Sequence, residues 1–465
     1  GYFAVLVYAE ELFHFGLFNH SAAGSESYIA FGIFLDGNHG GNLFVLSYAD
    51  CVDYSPAARR AGSFGDFVAL YGIYLAEAGK KQNIVYNGMG NSKTIINMGG
   101  ILTMDLSILV KMSNTYGSNP AYVLAGGGNT SVKDDTTLYV KGSGTQLATI
   151  KSEEFVEMSR ARLNEIMKTD YPEDDVKRES LYLADVMAAV TDADKTKRPS
   201  VEALLHNLFA YTYVLHVHPT LVNGLTCGKG AKELSEQLLG KEVLWIDICK
   251  PGYTLARICY EKMNAYKEEF GKDVQVLLLQ NHGIFVAANT VEEIGVLFDR
   301  VISKLEKQVK RTADVSDAVT PEKEQAAEKL SRLLGHAVEV VPVAEADNFV
   351  KDKAAAAPLL KPFTPDHIVY CGPYPLFVEN IDQSKAALDA FMAENDKEPR
   401  LILVQGVGAF IMEDDKGKAA KAQLLVKDAI KLAVYAESFG GPLHMTDDIT
   451  YFITHWEAEA YRSKK

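Results

Sequence analysis

His216-Val217-His218 closes a short apolar run that begins at Tyr213, and His282 closes another, Val274–Leu279. Short continuous apolar runs read as buried strands. Alternate residues of a strand share a face, so the imidazoles at 216 and 218 emerge together. His282 is followed by Gly283, which leaves room beside it. Three imidazoles leave one position open on a tetrahedral cation, the arrangement of catalytic rather than structural zinc. An HxH pair alone is more often two ordinary, partly buried histidines. The third strand-terminal imidazole and a nearby acid tip the balance toward a metal. That acid is Glu202, near the start of a helical run, Val201–Phe209, with His206 one turn further on the same face. Glu is favoured in a first turn by the helix dipole in any case. Beside three histidines it reads as a general acid/base.

A second theme is anion binding. Gly126-Gly127-Gly128-Asn129-Thr130-Ser131 and Gly142-Ser143-Gly144 combine backbone freedom with small polar donors. Ser200 is an expected N-cap for the run after it, a third place that favours an anion. Together they would cradle one phosphate, with Lys133 or Lys141 compensating its charge; singly, each is an ordinary turn. Neither glycine cluster completes GxGxxG, because Ser131 stands at the last glycine position. Asn87–Thr94 (NGMGNSKT) resembles a phosphate loop only superficially, having Asn87 and Ser92 where the pattern needs glycine.

The elements around these residues follow from punctuation and period. Leu106–Tyr116 reads as a helix ending near Gly117, and Ser131–Lys133 with Thr137–Val140 as a strand pair turning at Asp134-Asp135. Glu153–Met167 and Val291–Lys310 read as helices, and Arg311–Lys329 as a charged connection. Apolar runs resume at Ala337–Val343, His367–Cys371 and Leu401–Val404. Strands alternating with helices imply an α/β layered fold. Residues 1–103 differ: they are rich in Phe, Tyr and Gly, with strand-like Tyr28–Leu35 and Asn42–Tyr48 but no sustained helical period. The chain opens on Gly and its first Met before a convincing amphipathic segment is Met104. We expect 1–103 to be an extension foreign to the functional domain, read from upstream of the natural start.

The 465 residues allow two to four domains. Hydrophobic residues at 48% and charged residues at 23% exclude a mainly disordered chain. A net charge of −14 makes a nucleic-acid partner a poor expectation, though a local basic pocket for a phosphate remains compatible. The five cysteines (Cys51, Cys227, Cys249, Cys259, Cys371) form no CxxC, which fits a reducing compartment. No apolar run is long enough to span a bilayer, and no basic region precedes the short Phe3–Val7 run. The expectation is a soluble cytoplasmic protein with no membrane partner.

The second half carries an internal echo. Leu278–Phe285 (LLQNHGIF) matches Leu403–Phe410 (LVQGVGAF), each followed by a helix, Val291–Lys310 and Lys416–Glu437. Upstream, Val214–Pro219 can be laid on Ile368–Pro373. Where the first copy has His, the second has Tyr, Gly or Val, so a second lobe would share the fold without its chemistry.

The glycine loop, the Gly-Ser-Gly loop, Pro199-Ser200-Val201-Glu202, the HxH strand and Asn281-His282-Gly283 occur in an order that resembles the class II aldolase/adducin family, over about residues 104–312. Gly126–Lys133 (GGGNTSVK) and Val140–Gly144 (VKGSG) are most similar to the aldolase half of bifunctional rhamnulose-1-phosphate aldolase/dehydrogenases. Arg400–Tyr461 resembles what lies between the two portions there. The resemblance implies a three-layer α/β/α domain with a central mixed sheet at 104–312. After it would come a connection and the start of a second lobe at 313–360, and a degenerate lobe of the same type at 361–465. It implies zinc, or another divalent transition metal, held by His216, His218 and His282, with Glu202 as catalytic acid/base. Asn129, Ser143, Gly144 and Ser200 would hold the substrate phosphate. The implied reaction is reversible cleavage of a ketose 1-phosphate, of rhamnulose or fuculose type, to dihydroxyacetone phosphate and an aldehyde such as lactaldehyde. A homo-oligomer with its active site near a subunit interface is implied as well, with an aromatic group from a neighbour for which Tyr451 and Tyr461 are the candidates. Two departures, Val201 where many members have Ser and Gly126 where they have Thr, remove phosphate donors. A sugar-phosphate 4-epimerase or dehydratase of the same family, or a non-catalytic adducin-like interaction protein, are the alternatives.

Overall fold

In the computed structural model the described residues are 104–463, together with six strands before them, β1 to β6. Strands β1 (Tyr2–Tyr8), β2 (Glu11–Ala22), β3 (Ser25–Phe34) and β4 (Asn42–Ser47) form an antiparallel meander, and β5 (Asn83–Asn87) pairs with β6 (Lys93–Asn97). The strand-like runs at 28–35 and 42–48 fall on β3 and β4; residues 88–92 of the weak phosphate-loop match lie outside the described residues. The chain divides into two compact units, Gly1–Met104 and Asp105–Lys465.

The second unit is a mixed α/β structure built on two sheets. The larger sheet has seven strands in the order β11-β12-β13-β10-β7-β8-β9. They are β7 (Asn129–Lys133), β8 (Thr137–Lys141), β9 (Phe155–Ser159), β10 (Tyr213–Val217), β11 (Val243–Ile246), β12 (Val276–Leu279) and β13 (Gly283–Ala288). Only the β11/β12 pair is parallel; every other neighbour is antiparallel. The helices Ser107–Gly117, Arg160–Ile166, Tyr253–Phe270 and Val291–Glu306 flank it. Buried Leu138, Val140, Val156, Val214, Leu277 and Phe285 bring most strands of this sheet into one core. Strand β10 lies near the middle, between β13 and β7, which places His216 inside the sheet rather than at its edge.

The second sheet has the order β14-β17-β16-β15, from β14 (Val338–Val340), β15 (Leu376–Val378), β16 (Leu401–Val404) and β17 (Gly408–Met412). This repeats β10-β13-β12-β11 neighbour for neighbour and direction for direction. The hairpins share a register, Leu279 facing Gly283 in one and Val404 facing Gly408 in the other. Each turns through a left-handed residue at the same loop position, Asn281 (φ 56°) and Gly406 (φ 68°). Gly carries that conformation without strain, whereas Asn is one of the few residues with a side chain to adopt it.

Several sequence expectations change. Residues 367–371 are not the counterpart of the HxH strand, because Pro365–Cys371 is a helix. A short apolar run fits a buried helix as well as a strand, and Thr364-Pro365-Asp366 carries a helix start: Pro at the first position and an acid in the first turn. The counterpart is β14: through the shared register, Val340 stands at the place of His216, Pro342 at that of His218 and Val407 at that of His282. Glu153–Met167 is not one helix but strand β9 followed by Arg160–Ile166, with Ser159 accepting the Arg162 N–H at the junction. The alternation of Phe155-Val156-Glu157-Met158 completes the sheet edge beside β8. Within the supposed connection, Pro321–Leu334 is a helix capped by Thr320, its apolar face formed by Ala326, Ala327, Leu330 and Leu334.

Among the described residues no helix is long and apolar enough to cross a membrane. The described cysteines, Cys227, Cys249, Cys259 and Cys371, are unpaired.

Candidate metal and acid/base site

Strand β10 carries His216 into the sheet, opposite Asn129 of β7 on one side and Phe285 of β13 on the other. The His216 ring stacks on Phe285 at 3.9 Å between centroids. His218 follows two residues on, past the strand end, and His282 stands in the β12–β13 turn. The three ring centroids lie 4.7, 5.0 and 5.1 Å apart, and one ligating atom from each lies within 4.8 Å of the others. Gly283 is needed here, because a Cβ at that position would come within 2.7 Å of the His218 ring. The expected convergence of the imidazoles is therefore present.

Tautomers follow from the outer partners. His216 Nδ1 lies 3.0 Å from the Ile284 carbonyl, which only accepts, so Nδ1 carries the hydrogen. His218 Nδ1 lies 2.5 Å from Asp366 Oδ2 and donates in the same way. With both rings neutral, each Nε2 keeps its lone pair, and the two Nε2 atoms face one another at 2.9 Å. Two lone pairs at that distance repel unless a proton or a cation lies between them. Burial pulls His282 down to about 3, against the raising effect of Glu202, so this imidazole is neutral at physiological pH. The donor set fits a divalent transition metal.

Glu202 completes the cluster. It is 6% exposed, with Oε2 3.2 Å from His216 Nε2 and Oε1 3.4 Å from His282 Nε2. Oε1 is buried without a hydrogen-bond partner, an orphaned acceptor turned toward the imidazoles. The acid sits just before a six-residue helix, Ala203–Leu208, not inside one starting at Val201. Ser200 and Val201 form a turn in which the Ser200 hydroxyl accepts the Glu202 N–H at 3.2 Å and the Ser200 carbonyl accepts the Ala203 N–H. Ser200 thus shapes the approach to the acid and is not the helix N-cap.

Asn129 has a part that the sequence did not suggest. Its Nδ2 donates to Glu202 Oε2 at 2.7 Å, and its Oδ1 pairs with His206 Nε2. His206 is fully buried, and its other nitrogen lies 2.7 Å from Ser131 Oγ. Asn129 and Ser131 share one face of β7, so a single imidazole bridges both. Burial drives His206 well below its ordinary range, keeping it neutral.

The loops expected to hold phosphate are stitched together. Ser143 N–H donates to the Arg198 carbonyl at 2.8 Å and Ser200 N–H to the Lys141 carbonyl at 2.9 Å, so Ser143, Gly144 and Ser200 share one region. Lys141 Nζ donates to the Gly126 carbonyl at 3.2 Å, tying in the glycine-rich turn. Lys133 points the other way: its buried Nζ donates to the His206 carbonyl, and burial pushes its pKa well down. Of the two candidate lysines, only Lys141 borders the loops.

Residues 109–301 match the family model described as Class II Aldolase and Adducin N-terminal domain. Among curated proteins the chain is 23% identical over 406 residues to the "Uncharacterized oxidoreductase YuxG" of Bacillus subtilis, covering 76% of this chain. The chain spans about 57% of that relative's length. Among solved structures it is similar to the N-terminal class II aldolase domain of a conserved Thermoplasma acidophilum protein, at 27% identity with a TM-score of 0.39. That match covers 45% of this chain and 96% of the other. It is also similar to the L-fuculose-1-phosphate aldolase of Thermus thermophilus, at 17% identity with a TM-score of 0.27, covering 43% and 92%.

Proposed function

We propose, from the premise that residues 109–301 are a class II aldolase/adducin domain, that this chain cleaves a ketose 1-phosphate of rhamnulose or fuculose type by a metal-dependent retro-aldol reaction. The observation that carries this reading is the facing pair of Nε2 atoms of His216 and His218, 2.9 Å apart, beside the buried Glu202 carboxylate, whose Oε1 has no hydrogen-bond partner. His216, His218 and His282 would hold the ion. A zinc or similar cation bound there supplies Lewis acidity toward a carbonyl oxygen.

The protein's own groups supply the rest. Glu202 lies beside Nε2 of both His216 and His282, and it would carry the proton to and from the dihydroxyacetone phosphate carbon. Its side chain is held by Asn129, so it needs little reorganisation as the proton moves. Ser143, Gly144 and Ser200, bordered by Lys141, would grip the phosphate and fix the reacting carbons relative to Glu202. Asn129 would act on the phosphate only if its bonds to Glu202 and His206 were exchanged. The products would be dihydroxyacetone phosphate and an aldehyde such as lactaldehyde.

Catalysis is assigned to 104–312, with 313–360 holding a connection and the start of a second lobe that continues through 361–465; its sheet, β14 to β17, repeats the order without the histidines. An adducin-like interaction role is disfavoured by the retained His set. The test is incubation of the zinc-loaded protein with rhamnulose-1-phosphate and fuculose-1-phosphate. Release of dihydroxyacetone phosphate from either supports cleavage. Conversion of the substrate without aldehyde release would replace this reading by the epimerase or dehydratase one.

A further inference from the structure

The helix Pro365–Cys371 of the C-terminal lobe reaches into the site of the first lobe. Asp366, in its first turn and 4% exposed, sets Oδ2 2.5 Å from His218 Nδ1. One helical turn on, the Tyr370 hydroxyl accepts the Gly126 N–H at 3.3 Å, at the start of the glycine-rich turn. The helix is held in place behind: it packs on Lys416–Ala436, and Asp428 of that helix accepts the Thr220 hydroxyl of the first lobe. An independent feature of the first lobe makes room for the contact. A Cβ on Gly127 would lie 2.9 Å from Asp366 Oδ2, 3.0 Å from the Leu124 carbonyl oxygen and 3.4 Å from His218 Nδ1.

We infer that Asp366 is a positioning residue for the metal ligand His218, supplied across the lobe boundary, and that the absence of a side chain at Gly127 leaves room for it. This rests on the reading of His216, His218 and His282 as metal ligands. A carboxylate that accepts Nδ1–H fixes the tautomer and ring orientation of the histidine, and makes its Nε2 a stronger donor to a cation. The lobe that has lost the histidines thereby contributes to the site of the lobe that kept them. It also gives the middle glycine of the Gly-Gly-Gly turn a reason other than phosphate binding.

The experiment measures zinc affinity of the full-length chain by competition with a chromophoric chelator, and the melting temperature of the zinc-free protein. Asp366→Ala should weaken zinc binding by roughly 10- to 100-fold, the usual effect of losing an outer-shell partner, with little change in zinc-free melting. Asp366→Asn keeps an acceptor but loses the charge and should fall between. Gly127→Ala keeps every ligand and should weaken zinc by displacing Asp366. A merely structural role would lower zinc-free melting and leave zinc affinity unchanged, and that result overturns the inference. If Asp366→Ala fails to fold, wild-type affinity in Asp366→Asn overturns it equally. Wild-type protein that binds no zinc would overturn the functional reading along with it; tight wild-type binding with unchanged variants overturns the positioning role alone.

Discussion

Replacing Asn129 by Ala separates two roles for that residue. A phosphate ligand would lose ground-state binding, so KM would rise with kcat little changed. The observed contacts favour the other role. Asn129 Nδ2 donates at 2.7 Å to Glu202 Oε2, a carboxylate 6% exposed whose other oxygen has no hydrogen-bond partner. A hydrogen bond to a charged group contributes about 1.5–3 kcal/mol. At about 1.36 kcal/mol per factor of ten, its loss corresponds to a fall of roughly 10- to 150-fold in kcat. His206 Nε2 loses its partner in the same substitution, so a modest decrease in melting temperature accompanies the loss. The assay is the steady-state release of dihydroxyacetone phosphate from rhamnulose-1-phosphate, with kcat and KM resolved separately. A rise in KM at wild-type kcat would refute the argument that Asn129 holds the acid, and would return it to the phosphate clamp.

Other expectations concern the frame around the site. Gly224, on helix Thr220–Thr226, would place a Cβ 2.6 Å from Tyr435 Cβ on helix Lys416–Ala436. Gly224→Ala should therefore destabilise the joined lobes by about 1–3 kcal/mol, read by chemical denaturation; wild-type stability would mean that the helices separate freely. Glu179 is buried and its pKa is raised to about 7 by desolvation, only partly offset by Arg178. A folded pKa above the ordinary value of 4.5 means that the folded state keeps a proton the unfolded chain gives up. Its favourable contribution is full below about pH 4.5 and is lost as pH rises through about 7. Glu179→Gln should gain on the wild type between about pH 5 and pH 8, by at most roughly 3 kcal/mol. A stability difference that does not change with pH would contradict this. Deleting 361–465 keeps the three histidines but removes Asp366, so any folded remainder should bind zinc more weakly; undiminished affinity would speak against the cross-lobe contact.

The histidine cluster was legible because strand period alone puts 216 and 218 on one face, and the shared apolar pattern marks 282 as another strand end. Glu202 was legible as an acid near them, but not how it is held. That depends on the register of β7 against β10, which sets Asn129 opposite His216 and is fixed by tertiary pairing. Lys133 and Lys141 looked equivalent in sequence, yet they sit at opposite ends of a two-stranded turn; one is drawn under His206 and the other reaches the glycine-rich turn. The repeat was visible in its hairpin, where the turn chemistry is local, and misplaced upstream, where a buried helix and a buried strand have the same composition. Asp366 could not be placed from sequence at all. It lies 148 residues from His218, and its only local signal, Thr364-Pro365-Asp366, announces a helix start without saying what the helix meets.

The most direct measurement is metal content by mass spectrometry of the wild type beside His216→Ala, both purified with zinc available and both checked for folding. About one zinc per wild-type chain is expected, and almost none in a folded His216→Ala protein. Equal zinc in the two proteins, or none in either, would contradict it.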